Sequence, residues 1–163
     1  MNRCLVLATL LLLSATTTPA LARIRQLWTE QQIGDKSDLI VMAKVVEVRD
    51  TGVRTTIPNI ARGNVPIAAV EMEATFEVSA VLKGTHEKPK LVFVYLRQAK
   101  HEPWRGEPEL VGFDARDKKQ YLLFLKREEG RYSAVVGQTD PADAVREVGR
   151  PMMPVEVNGG DKP

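Results

Sequence analysis

Between Val70 and Leu82 the chain alternates with a period of two: Val70, Met72, Ala74, Phe76, Val78, Ala80 and Leu82 interleave with Glu71, Glu73, Thr75, Glu77, Ser79 and Val81. In an extended strand this period puts one set on a core face and the other on a solvent face. The reading therefore assigns Glu71, Glu73 and Glu77 to a solvated outer face. At roughly 3.3 Å per residue such a strand runs to about 40 Å, longer than a small domain holds flat. It must bend, and a strand that curls to pair at both ends suits a small closed barrel.

Its partners are legible nearby. Residues 121–137, YLLFL-KREEGR-YSAVVG, place two apolar runs about a charged turn with Gly130, which predicts a β-hairpin. Residues 39–48 and 91–96 supply two further strands rich in Val, Leu, Ile and Phe. Ahead of the first strand, Thr29 and Gln32 form a capping box with Trp28 and Ile33 as its staple, predicting a short helix. After the hairpin, Asp140, Pro141 and Gly149 mark a second short helix. Gly52, Pro58, Gly63, Asn64 and Pro66 predict a long loop over 51–66. Residues 97–118 are polar and broken by Pro103, Gly106, Pro108 and Gly112, so no long helix fits there. The expected fold is all-β, a five-stranded OB-type Greek-key barrel with short flanking helices.

Three stretches in order, SDLIVMAKVVEV, TFEVSAVLKG and KKQYLLFLKREEGRYSAVVG, resemble the netrin-like domains related to tissue inhibitors of metalloproteinases, above all their exported bacterial members. The resemblance spans about residues 36–137 and implies a protein-binding OB barrel, in some members a metalloproteinase inhibitor. In those inhibitors a processed N-terminal cysteine offers its amine and carbonyl to the protease zinc. This chain departs at that point.

Arg3, the apolar run from Leu5 to Leu13 and Ala20-Leu21-Ala22 have the layout of a secretory signal peptide over 1–22, with a mature chain beginning at Arg23. The apolar run is too short to span a bilayer, so no stable membrane insertion is expected after cleavage. Export to a periplasm or to the outside follows. The one cysteine, Cys4, lies ahead of the apolar run, so the mature domain, 23–149, has no disulfide and residues 23–28 offer no inhibitory cysteine. Residues 150–163, with Pro151, Pro154, Gly159 and Gly160, read as a disordered tail.

Removing Arg3 from the 23 basic residues leaves 22 against 21 acidic ones, too even a balance for a phosphate-binding surface. With an acidic strand face as well, nucleic acid is not an expected partner. His86 and His101 read as solvated loop histidines without a second ligand at metal spacing, and Ser37, Ser79 and Ser133 lack a nucleophile context. No cofactor or metal is expected, and no catalytic motif is found. The leading expectation is a binding or interaction module for an extracytoplasmic protein. Trp104, Arg105 and Phe113, large or basic side chains in the 97–118 connection, are its candidate contacts, beside the plainer reading that Trp104 and Phe113 fold back to cap a barrel end. Two alternatives stand beside it: an extracytoplasmic hydrolase with loop carboxylates, and a metalloproteinase inhibitor.

Overall fold

The computed structural model describes residues 28–62, 65–100 and 107–149. The expected signal peptide (1–22) and tail (150–163) lie outside the described residues.

The capping box forms as its residues dictate. Gln32 N donates to Thr29 Oγ1 at 3.2 Å and Thr29 N donates to Gln32 Oε1 at 3.0 Å, starting helix α1, Glu30–Lys36. Ile33 is buried, Trp28 packs against the same core, and the Lys36 ammonium lies 4.5 Å from the Trp28 ring centroid. A seven-residue helix is marginal alone. Its far end is therefore held by tertiary contacts, as Lys83 Nζ donates to the carbonyls of Gly34 at 2.7 Å and Asp35 at 3.0 Å.

Six strands follow: β1 (Leu39–Arg62), β2 (Val65–Lys83), β3 (Lys90–Gln98), β4 (Gln120–Glu128), β5 (Arg131–Ala134) and β6 (Val145–Glu147). They form one sheet in the order β1-β2-β3-β5-β4-β6, and β1 also pairs with β4, so five strands close into a ring. Only the β3–β5 step is parallel, through Phe93 and Tyr132. The β4–β5 turn places Glu129 and Gly130 at φ of 48° and 80°, the double positive φ of a tight primed hairpin turn. Gly84 is required for closeness as well as conformation. At φ 79° a Cβ there would stand 2.3 Å from the Asp38 carbonyl oxygen, where the end of β2 passes the start of β1.

The ring is filled. Val41, Ala43 and Val45 of β1, Ala74 and Phe76 of β2, Phe93 and Tyr95 of β3 and Leu123 and Leu125 of β4 are essentially inaccessible. The apolar set of β2 is buried from Val70 to Phe76, whereas Leu82 at its end is 59% exposed. Four irregularities in its pairing with β1 lie between Ile40 and Arg54, where one strand carries one or two extra residues and the ladder bends. The hairpin over 121–137 is also as expected, with Tyr121, Leu123, Leu125, Tyr132 and Ala134 all buried.

Two expectations fail. The long loop over 51–66 is an antiparallel arm: β1 continues to Arg62, β2 starts at Val65, and pairs such as Thr55↔Ala69 and Arg62↔Val65 extend the hairpin. Irregularities between Asp50 and Arg54, and between Thr56 and Ala61, absorb Gly52 (φ 84°), Pro58 and Asn59 (φ 58°), so turn-forming residues occur without ending the ladder. Ile57, Ile60, Ala69 and Leu96 form a second small core under this arm. The predicted helix over 140–149 is instead a 3-10 turn, Pro141–Ala144, followed by β6. Asp140 Oδ1 accepts from Glu109 N at 2.9 Å rather than capping a helix, and β6 pairs with Tyr121, Leu122 and Leu123 on β4. An available strand edge outweighed local helix signals.

Candidate functional site

The carboxylate expected in solvent is where the site begins. Glu73 is only 7% exposed, because bends in β1 and β2 bring Arg49 across from it and the β4–β5 hairpin brings Arg131 over it. Arg49 Nε donates to Glu73 Oε2 at 2.8 Å and Arg49 Nη2 to the same oxygen. Arg131 Nη1 donates to Glu73 Oε1 at 3.2 Å and to Glu71 Oε1 at 3.3 Å. Burial pushes the Glu73 carboxyl up, but the hydrogen bonds and charges of Arg49 and Arg131 outweigh it, and the net shift is downward. Bonding to Glu73 in turn raises Arg131.

Above this buried ionic floor lies a cleft of about 770 Å³, bounded by the β2–β3 connection, the start of β3 and the β4–β5 hairpin. One wall is a hydrogen-bonded chain. Arg127 Nη2 donates to Tyr132 Oη at 2.8 Å, Tyr132 Oη stands 3.2 Å from His86 Nδ1, and His86 Nε2 stands 3.2 Å from the Lys90 carbonyl oxygen. The Lys90 carbonyl can only accept, so the His86 Nε2 that faces it is a donor. The expectation of a solvated His86 is therefore corrected: both ring nitrogens are engaged and its ring meets Tyr132 edge-on at 5.7 Å. The Tyr132 hydroxyl raises Arg127 further.

Five basic side chains line the cleft, Arg49, Lys88, Lys90, Arg127 and Arg131, against two acidic ones, Glu73 and Glu87. Glu73 is already neutralised from both sides, so the opening is electropositive. Lys88 and Lys90 make no ion pair among the described residues. A second cleft of about 520 Å³ shares Arg131 and Tyr132 as a wall and is lined beyond them by Glu71, Glu128, Glu129, Ser133 and Gln138. There Ser133 Oγ donates to Glu128 Oε2 at 3.0 Å, which is its role in place of any nucleophilic one.

Trp104 and Arg105, like His101, fall outside the described residues. Phe113 packs edge-on against Phe76, Tyr95, Tyr121 and Phe93, with centroids 5.1 to 5.7 Å away. It plugs the space between β2, β3 and β4 and does not line the electropositive cleft. Sequence reasoning passed over the cleft because its cations are spread over β1, the β2–β3 connection and the β4–β5 hairpin. The signal available was the density of basic residues in HEKPK and KREEGR.

Among the described residues, no three His, Cys, Asp or Glu side chains are grouped to hold a metal ion, and no helix is long and apolar enough to cross a membrane. The chain matches no protein-family model and no curated protein.

Proposed function

We propose that the chain is an exported binding module of the OB type, resembling the netrin-like domains, that docks an extracytoplasmic protein at the electropositive cleft. The observation that carries this reading is the cleft itself, where Lys88 and Lys90 make no ion pair among the described residues and stand beside a buried core. The strand order β1-β2-β3-β5-β4 returning to β1 supports the Greek-key barrel. Where such barrels usually carry a helix between the third and fourth strands, the described residues here hold a 3-10 turn, Ala115–Asp117, and the Phe113 plug. A general-acid role for Glu73 is disfavoured, because two guanidinium groups hold it as an anion with its pKa lowered.

The test is photo-crosslinking from the full chain in its native envelope, with the crosslinking residue at Lys88 or at Val148, which is 40% exposed and does not line the cleft. A discrete protein adduct from position 88 alone is expected; no adduct, or the same adduct from both positions, counts against the reading. N-terminal sequencing of the exported protein should begin at Arg23.

A further inference from the structure

We propose that the cleft receives a phosphomonoester carried on a segment of the docking protein, gripped by the guanidinium groups of Arg49, Arg127 and Arg131. The proposal rests on the cleft being the docking site and names the group that enters it.

The first ground is that these guanidinium groups are held in place yet stay open to a ligand. Arg49 and Arg131 bond opposite oxygens of the buried Glu73 carboxylate, so one anion fixes both. Arg49 spends Nε and Nη2 on it and Arg131 only Nη1, which leaves Arg49 Nη1 and Arg131 Nε and Nη2 without a hydrogen bond among the described residues. The two side chains remain 66% and 43% exposed. Arg127 is exposed as well, and the Tyr132 hydroxyl that accepts from its Nη2 is backed by His86. Long cationic side chains ordinarily lose rotamer freedom on binding, and here much of that ordering is made in advance. Exchanging a buried ion pair for apolar groups is often neutral for stability, so positioning is the better account of a carboxylate at the foot of a cleft.

The second ground is charge. Five cations line the cleft, Lys88 and Lys90 among them, against Glu73 and Glu87. The even balance of the whole chain says nothing against such a local anion site, because folding gathers these cations from separate segments. A phosphomonoester brings a charge of roughly −1.5 to −2 near pH 7 and three acceptor oxygens, whereas a carboxylate brings a single charge and a flat pair of oxygens. Guanidinium groups that line the cleft from β1 and from both strands of the β4–β5 hairpin, with two ammonium groups on the β2–β3 side, suit the higher charge and the tetrahedral spread.

The third ground is what carries the phosphate. At about 770 Å³ the cleft is far larger than the group itself and has room for the segment that bears it. A lipid surface calls for apolar side chains at the rim, but none of the large apolar side chains exposed among the described residues lines the cleft. Stacked nucleic-acid bases need an open aromatic face, but Tyr132 is only 5% exposed, with the Arg127 guanidinium 5.5 Å from its ring centroid. Recognition of a phosphorylated side chain by clustered arginines needs neither.

The experiment uses the mature full chain and a fluorescein-labelled octapeptide of glycine and alanine with one central phosphoserine, followed by anisotropy at low salt. Saturable binding is expected, at least about tenfold weaker with serine in place of phosphoserine and at least about threefold weaker with glutamate. Arg127→Lys keeps the charge but not the fork and should weaken phosphopeptide binding at least about threefold, Arg127→Gln at least about tenfold. The Arg127 side chain bonds only the Tyr132 hydroxyl, so the fold does not rest on it. Arg116→Gln, which removes a charge outside the cleft, should change binding less than about twofold. Equal binding of the phosphoserine and serine peptides, full affinity in Arg127→Gln, or equal losses in Arg127→Gln and Arg116→Gln would each overturn the proposal. So would tighter binding to phosphatidic-acid vesicles, or to a sulfated disaccharide, than to the phosphopeptide. A protein adduct from position 88 together with indifference to the phosphate would keep the docking site and remove its phosphate chemistry.

Discussion

The ring and the arm are built from the same two strands, yet they are held together differently. In the ring, the first part of β1 and the latter part of β2 face β3, β4 and β5, so every inward side chain meets others from several directions, with Phe113 inserted among four aromatic rings. In the arm, β1 and β2 have mainly each other, and Ile57 and Ile60 reach the ring through Leu96 and Ala69, with Thr139 Oγ1 donating to the Pro58 carbonyl at 3.1 Å. A ladder alone is marginally stable; burial against other elements decides whether it stays formed. The arm should therefore open locally at lower free energy than the ring, a separation hydrogen exchange can read.

The largest effect should come from hollowing the ring. Phe93→Ala removes an inaccessible ring that touches Phe76, Tyr95 and Phe113, and is expected to lower global stability by about 3–5 kcal/mol in chemical denaturation. A loss under about 1 kcal/mol would mean that the ring is loosely packed. Ile57→Ala should cost about 2 kcal/mol or more in the arm's local opening, seen as lost amide protection from Arg54 to Ala69, with little change in the ring's protection. Equal loss of protection in ring and arm would erase the distinction between them.

The ionic floor of the cleft comes next. Glu73→Gln keeps the shape but not the charge and is expected to destabilise by about 1–3 kcal/mol near neutral pH. Since the folded-state carboxyl titrates below its ordinary value of 4.5, the stabilisation is complete above that value and is lost as pH falls through the folded pKa. The wild-type and Glu73→Gln stability curves should therefore converge in acid. Thr29→Ala, which strips the cap of α1, should cost about 1 kcal/mol.

The smallest effect is expected at Asp114, whose side chain is bonded by Arg116 and titrates at about 2. Arg116→Ala should return that carboxyl towards 3.8 by NMR while leaving the melting temperature unchanged, because the pair is solvent-screened.

Local rules were sufficient wherever a few neighbouring residues settle the matter. Thr29 and Gln32 specify their cap, Glu129 and Gly130 their turn, and the period of two through Phe76 its buried face. They misled wherever a distant strand competed. Gly52, Pro58 and Asn59 announce a loop, but cross-strand pairing carried them as irregularities in a ladder. Asp140 and Pro141 announce a helix, but the exposed edge of β4 took residues 145–147 as a strand. Phe113, whose two readings were an aromatic folded back onto the strands and a candidate contact, takes the first, in the aromatic centre of the ring.

The sequence by itself determined a β-rich chain opened by a capped helix, with strands and inner faces for most of the ring, because those properties depend on residues one to four apart. Only the tertiary structure decided that Glu73 would be buried and Glu77 left exposed, although both occupy the polar set of one alternating strand. The reason is that Arg49 and Arg131, 24 and 58 residues away from Glu73, arrive through a bent β1 and a hairpin that crosses back over β2. A carboxylate leaves water when two cations replace its hydration, and that replacement is a property of the closed ring rather than of any segment in it.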